Sequence, residues 1–120
     1  MKPAFSPGKN IAIKVPTHEF DKTVHFYKVV LGLKEKKADS PDEFESVTFE
    51  FGEKNLWIDK KSGISQAEIW LEIETDNVIE AQEYLKNHGC SIRNELEPLP
   101  SDFNGFWLSS PSNIVHLVVE

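Results

Sequence analysis

The side chains with the most chemistry fall on one side of two short stretches. In the first, Asn10–Val15, the residues Asn10, Ala12 and Lys14 alternate with Ile11, Ile13 and Val15. In the second, Glu68–Ile73, the residues Glu68, Trp70 and Glu72 alternate with Ile69, Leu71 and Ile73. Period-two alternation marks a strand with one covered face. The apolar set meets a helix, so the polar and aromatic set faces away from it. Lys14 and Glu72 hold matching places and could pair as ions, the structural reading, or one could act as a general base. Trp57 alternates with the helix-facing Leu56 and Ile58, and Asp59 shares its side at the strand end. A tryptophan face attracts planar or cationic ligands, with cation–π worth ~0.5–2 kcal/mol. Phe103, Phe106 and Trp107 cluster further on, and aromatics with a few polar groups are the usual lining of a small-molecule site. The alternative for Trp70 and Trp107 is that they fill the sheet interior or a dimer contact. Cys90 begins a strand and reads as a small buried residue rather than a nucleophile. His18, His25 and His88 sit on or beside helices and take no role. No phosphate loop, dinucleotide fingerprint, zinc-knuckle spacing or serine-hydrolase elbow is present.

The elements that position these residues repeat. After the first strand the period changes, and Phe20, Val24, Tyr27 and Leu31 lie on one side of a helix. Thr17 can cap its start and Gly32 its end. Half a chain later the strand of Glu68–Ile73 runs into a second helix, capped by Asp76, with Val78, Ala81 and Leu85 as its stripe and Gly89 at its end. Strands are expected at Leu33–Asp39, Val47–Phe51 and Asn55–Lys60, with a turn or loop at Ser40–Glu45. Further strands are expected around Cys90–Leu96, at Phe106–Ser110 and at Ile114–Glu120. The order is strand, helix, three strands, twice: an α+β fold of two βαβββ modules with curled mixed sheets and a shared groove. The modules span roughly 9–60 and 67–120, with a linker at about 60–66. Residues 1–8, with two prolines and a glycine, read as an extended arm.

FYKVVLGL at Phe26–Leu33, following a strand and a turn, resembles the glyoxalase/bleomycin-resistance/dioxygenase superfamily, also called vicinal oxygen chelate. The second strand–helix unit and the ending SPSNIVHLVVE are similar to it too. The resemblance covers roughly Lys9 to Glu120 and implies that the helix-free faces line a concave groove. The family's four metal positions, usually His, Gln or Glu, would fall here on Asn10, Trp57, Glu68 and His116. Tryptophan has no lone pair to give a metal and asparagine only a neutral oxygen, so Glu68 and His116 remain. Two protein ligands are few for a tight divalent site. The resemblance therefore implies binding of a small organic molecule with no cofactor, through Asn10, Lys14, Trp57, Glu68, Trp70, Glu72, Trp107 and His116. The alternatives are a lyase, isomerase or dioxygenase with a divalent metal at Glu68 and His116, or a regulatory module with a vestigial groove. Without metal, His116 would be a groove histidine hydrogen-bonded to Glu68. The short turn at Pro111–Asn113 leaves the register open, and a slip of one residue would turn His116 toward the helix. Family members commonly form homodimers.

Composition narrows the partners. A chain of 120 residues with 39% hydrophobic and 28% charged residues is an ordinary globular one. A net charge of −7 argues against nucleic acid and anionic membranes. One cysteine excludes an internal disulfide and fits a reducing, cytoplasmic setting.

Overall fold

The computed structural model describes residues 2–36 and 45–120, so most of the loop expected at Ser40–Glu45 lies outside the described residues. The strands are β1 (Phe5–Pro16), β2 (Glu35–Lys36), β3 (Ser46–Phe51), β4 (Lys54–Lys61), β5 (Glu68–Thr75), β6 (Ser91–Ile92), β7 (Gly105–Ser109) and β8 (Val115–Val119). The α-helices are α1 (Phe20–His25) and α2 (Val78–Asn87). The fold is α+β, as the alternation predicts. The chain divides into two compact units, Lys9–Ile69 and Met1–Gly8 with Trp70–Glu120. Among the described residues no helix is long and apolar enough to cross a membrane.

In the Lys9–Ile69 unit the strand order is β2-β3-β4-β1, with β1 parallel to β4 and the other pairs antiparallel. Ile11 and Ile13 stand level with Leu56 and Ile58, which stand level with Phe49 and Val47. These apolar residues meet Phe20, Val24 and Tyr27, so the core lies between sheet and helix. Leu31 leaves that stripe, being 51% exposed, and Leu33 packs in its stead. The cause is a change of winding. The helix opens as a 3-10 turn at Thr17–Glu19 and closes as a π turn at Phe26–Val30. A π turn takes one residue more than an α turn, so a spacing of four after Tyr27 no longer returns to the core. Thr17 makes no cap, because it lies inside the 3-10 turn. Gly32 does end the segment, with the positive φ of 72° that glycine tolerates.

In the other unit the order is β5-β8-β7-β6, with β5 parallel to β8. Ile73, Val118, Phe106 and Leu108 meet Val78, Ala81 and Leu85 of α2. Cys90 packs there, half-buried. The second half of the expected arm, Phe5–Gly8, is the start of β1. Phe5 packs against Tyr84 with ring centroids 6.0 Å apart. Ala4 N–H donates to Asp76 Oδ1 at 3.0 Å, and Ala4 O accepts from Thr75 Oγ1 at 2.9 Å. Asp76 is therefore occupied by Ala4, just ahead of β1, and the helix cap passes to Asn77, whose Oδ1 accepts from Glu80 N–H at 3.0 Å. Loss of a cap costs ~1 kcal/mol. Asn77→Ala is expected to lower stability by that amount in urea unfolding and Asn77→Asp to restore it.

Candidate functional site

On the helix-free face of the Lys9–Ile69 unit, three strands contribute three rows of side chains. The first row is Glu50, Asn55 and Asn10; the second Thr48, Trp57 and Ala12; the third Ser46, Asp59 and Lys14. In the first row Asn10 Oδ1 accepts twice, from Trp57 Nε1 at 2.8 Å and from Asn55 Nδ2 at 3.0 Å. Asn55 Oδ1 in turn accepts from the ammonium of Lys36. Asn10 thus orients the half-buried indole of Trp57 by its only donor. In the third row Lys14 Nζ lies 2.8 Å from Asp59 Oδ2, and Ser46 Oγ donates to Asp59 Oδ1 at 2.6 Å. The Lys14 and Asp59 side chains are 7% and 14% exposed. Asp59 is a buried counter-ion, not a solvated strand end, because β1 runs parallel to β4 with Lys14 level with it. The second row differs from both. Thr48 is buried, and its Oγ1 has no hydrogen-bond partner among the described residues. Leaving a buried hydroxyl unpaired costs ~1–3 kcal/mol.

This face does not fit a metal. Asn10 offers one weak oxygen, already holding two hydrogen bonds, and Trp57 offers none. Among the described residues no group of three or more His, Cys, Asp or Glu side chains is arranged to hold one. His116 departs from its expected place. It stands level with Leu71 on one side and Leu108 on the other, and Leu108 belongs to the core under α2. His116 therefore has the parity of the helix side, opposite that of Trp70, Glu72 and the rest of the even-numbered set of β5, which includes Glu68. Leu117 takes the place expected of it, level with Glu72 and Trp107. The ring of His116 instead bonds through Nδ1 to Ile114 O at 3.0 Å. Its expected bond to Glu68 and the two-ligand metal site both need the other register.

The helix-free face of the second unit is filled. Trp70 and Trp107 are 3% and 7% exposed and meet edge to face with centroids 5.1 Å apart. Trp107 Nε1 donates to Glu97 O at 3.1 Å. Both tryptophans take the interior-filling alternative. Phe106 and Trp107 alternate, so Phe106 goes to the helix core and only the half-exposed Phe103 stays near a surface. Glu72 runs past Gly8, where an added Cβ would fall 2.5 Å from Glu72 Cγ. Arg93 reaches this face by a bond from its guanidinium to Ser109 Oγ at 2.9 Å. Its second bond, to Glu95 at 2.6 Å, holds that exposed carboxyl below the usual carboxylate range, helped by a backbone hydrogen bond. Sequence reading missed Thr48, Ser46, Asn55 and Arg93. The first three were within reach of the same parity that found Trp57.

No protein-family model matches the chain, and no curated protein sequence does. Solved structures do. The Mn(II)-bound glyoxalase from Novosphingobium aromaticivorans is 17% identical with a TM-score of 0.67, over 98% of this chain and 39% of its own. Homoprotocatechuate 2,3-dioxygenase from Arthrobacter globiformis is 19% identical with a TM-score of 0.64, over 98% of this chain and 36% of its own. An extradiol ring-cleaving dioxygenase from B. fuscum is 17% identical with a TM-score of 0.65, over 98% and 33%. The chain thus spans about a third of the length of the structures it matches. Aligned over nearly all its residues with glyoxalase and extradiol dioxygenase structures, the chain has the fold of the vicinal oxygen chelate superfamily.

Proposed function

We propose that the chain binds, and thereby sequesters, a small organic molecule on the helix-free face of the Lys9–Ile69 unit, without a metal. The observation that carries this reading is Trp57, half-buried and held by Asn10 in a face where Lys14 and Asp59 neutralise each other. A ring fixed in place before binding loses little freedom on binding, so more of the stacking energy appears as affinity. The working form is a cytoplasmic homodimer. The donor set described above supports the absence of metal. The neighbours' names favour a second reading, a metal-dependent lyase, isomerase or dioxygenase, since one of them is Mn(II)-bound.

Elemental analysis of the purified protein separates the two. We expect far less than one zinc, manganese, nickel or iron per chain, and about one would overturn the first reading. Trp57→Ala is expected to weaken small-molecule binding about tenfold or more while shifting the urea midpoint little, because stacking on an aromatic is worth ~1 kcal/mol or more. Loss of fold without a selective loss of binding would mean that the indole is a structural residue.

A further inference from the structure

We infer that the ligand of this face is a flat aromatic anion, such as an aryl carboxylate, with its ring on Trp57 and its acid group on the ammonium of Lys36. The inference rests on the small-molecule reading above and names its ligand class.

Three observations carry it. The first is position. Lys36 is level with Thr48, Thr48 with Trp57 and Trp57 with Ala12, so Lys36 stands at the end of the row that holds the indole. Its ammonium crosses β3 and bonds Asn55 Oδ1 on β4. Asn55 lies two residues before Trp57 and so shares its face. The indole N–H and the Asn55 amide meet at one oxygen, Asn10 Oδ1. Cation and ring are thus held by one run of bonds, from Lys36 to Asn55, Asn10 and Trp57. A ligand that uses both finds them fixed beside each other before it binds.

The second observation is that the charge of Lys36 is not neutralised by that run. Lys14 has Asp59 at 2.8 Å, and Lys34 has Glu50 at 3.8 Å. Among the described residues Lys36 bonds only the neutral amide oxygen of Asn55. An ammonium has three donors, and this bond takes one. A carboxylate on another would make a charge-assisted bond, stronger than any a neutral oxygen gives. Lys36 is exposed, so an anion reaches it from solvent.

The third is the sign of the face. The helix-free side of β1–β4 carries Lys14, Lys34, Lys36 and Lys61 against Glu50 and Asp59. This excess is positive in a chain of net charge −7. It draws anions, and it opposes the cations that a tryptophan face alone would attract.

The test uses the 2-naphthoate anion, the neutral 2-naphthamide and the 2-naphthylmethylammonium cation, titrated calorimetrically into the full chain. The same titrations are run on Lys36→Met, Lys36→Arg, Trp57→Phe and Lys28→Met. Lys36 and Lys28 are exposed, so neither change endangers folding, and thermal unfolding checks this. Lys28 belongs to the helical segment and pairs with Glu35 at 3.0 Å, so its loss removes the same charge from the other side of the sheet. In the wild type 2-naphthoate is expected to bind about fivefold tighter than 2-naphthamide, the worth of one exposed ion pair, with the cation weakest. The advantage should shrink as salt is raised. Lys36→Met should erase it without weakening 2-naphthamide, Lys36→Arg and Lys28→Met should keep it, and Trp57→Phe should weaken both ligands. If the advantage is missing in the wild type, survives in Lys36→Met or is lost equally in Lys28→Met, the inference fails while binding at Trp57 stands. If none of the three binds the wild type saturably, or Trp57→Phe weakens none, the inference and the small-molecule reading fall together.

Discussion

Phe49→Ala is expected to lower the stability of this chain by about 3–5 kcal/mol, against about 0.5 kcal/mol or less for the change at an exposed site. Phe49 is fully buried on β3, level with Leu56 across the strand pair. It shares a core cluster with Val15, Phe20, Leu56 and Ile58, and its ring centroid lies 6.1 Å from that of Tyr27. It is thus the residue through which β3, β4 and the helical segment meet. Truncation removes the transfer energy of the ring and leaves a cavity whose walls are two paired strands, which cannot collapse far. Phe51 is the control: the same residue type, the same strand and the same parity, but 46% exposed. Phe51→Ala should cost a small fraction of the Phe49 value. Urea unfolding of both variants decides. Equal effects would mean that the helix does not sit where its contacts place it.

The fold was legible because two periods sit side by side. Ile11, Ile13 and Val15 declare a strand, Phe20, Val24 and Tyr27 a helix, and each needs the other to hide its apolar side. What sequence could not show was anything depending on a winding or register change of one residue. The spacing of Tyr27 and Leu31 is helical in the sequence, but the π turn rotates Leu31 out. Asp76 and Asn77 are equally good caps by type. The choice fell to Asn77 because Ala4, far away in the chain, takes Asp76. His116 was lost the same way. In Val115–Val119 every residue but the histidine is apolar, or nearly neutral to either face, so the alternation that fixed Ile11–Val15 is missing. Register came instead from pairing with β5 and β7. On the candidate site, parity placed Asn10, Lys14 and Trp57 on one face, where the structure has them. It could not reveal that Trp70 and Trp107, of the correct parity in their own unit, close on each other. Nor could it reveal that Thr48 alone in its row lacks a partner.

Lys14→Met is expected to cost about 3 kcal/mol, and the double variant Lys14→Met/Asp59→Leu to recover most of that loss. The cause is the isolation of Asp59. With side chains 7% and 14% exposed, the pair sits where water solvates neither ion well. Removing the ammonium takes away the 2.8 Å bond to Asp59 Oδ2 and leaves that carboxylate with the Ser46 hydroxyl at 2.6 Å. One hydroxyl does not replace a counter-ion. The ion pair itself is no large net gain, since burying two charges nearly offsets their attraction, and so apolar replacement of both residues should be close to neutral. A solvated pair behaves differently: each single change would cost under about 1 kcal/mol, and the loss would shrink in high salt. The thermodynamic cycle over wild type, both single variants and the double, measured by urea unfolding at low and high salt, distinguishes the two. A coupling of about 2 kcal/mol or more that survives high salt is the expected result. A coupling near zero would place Lys14 and Asp59 in water, and would return to this face the free charges that a charged ligand could use.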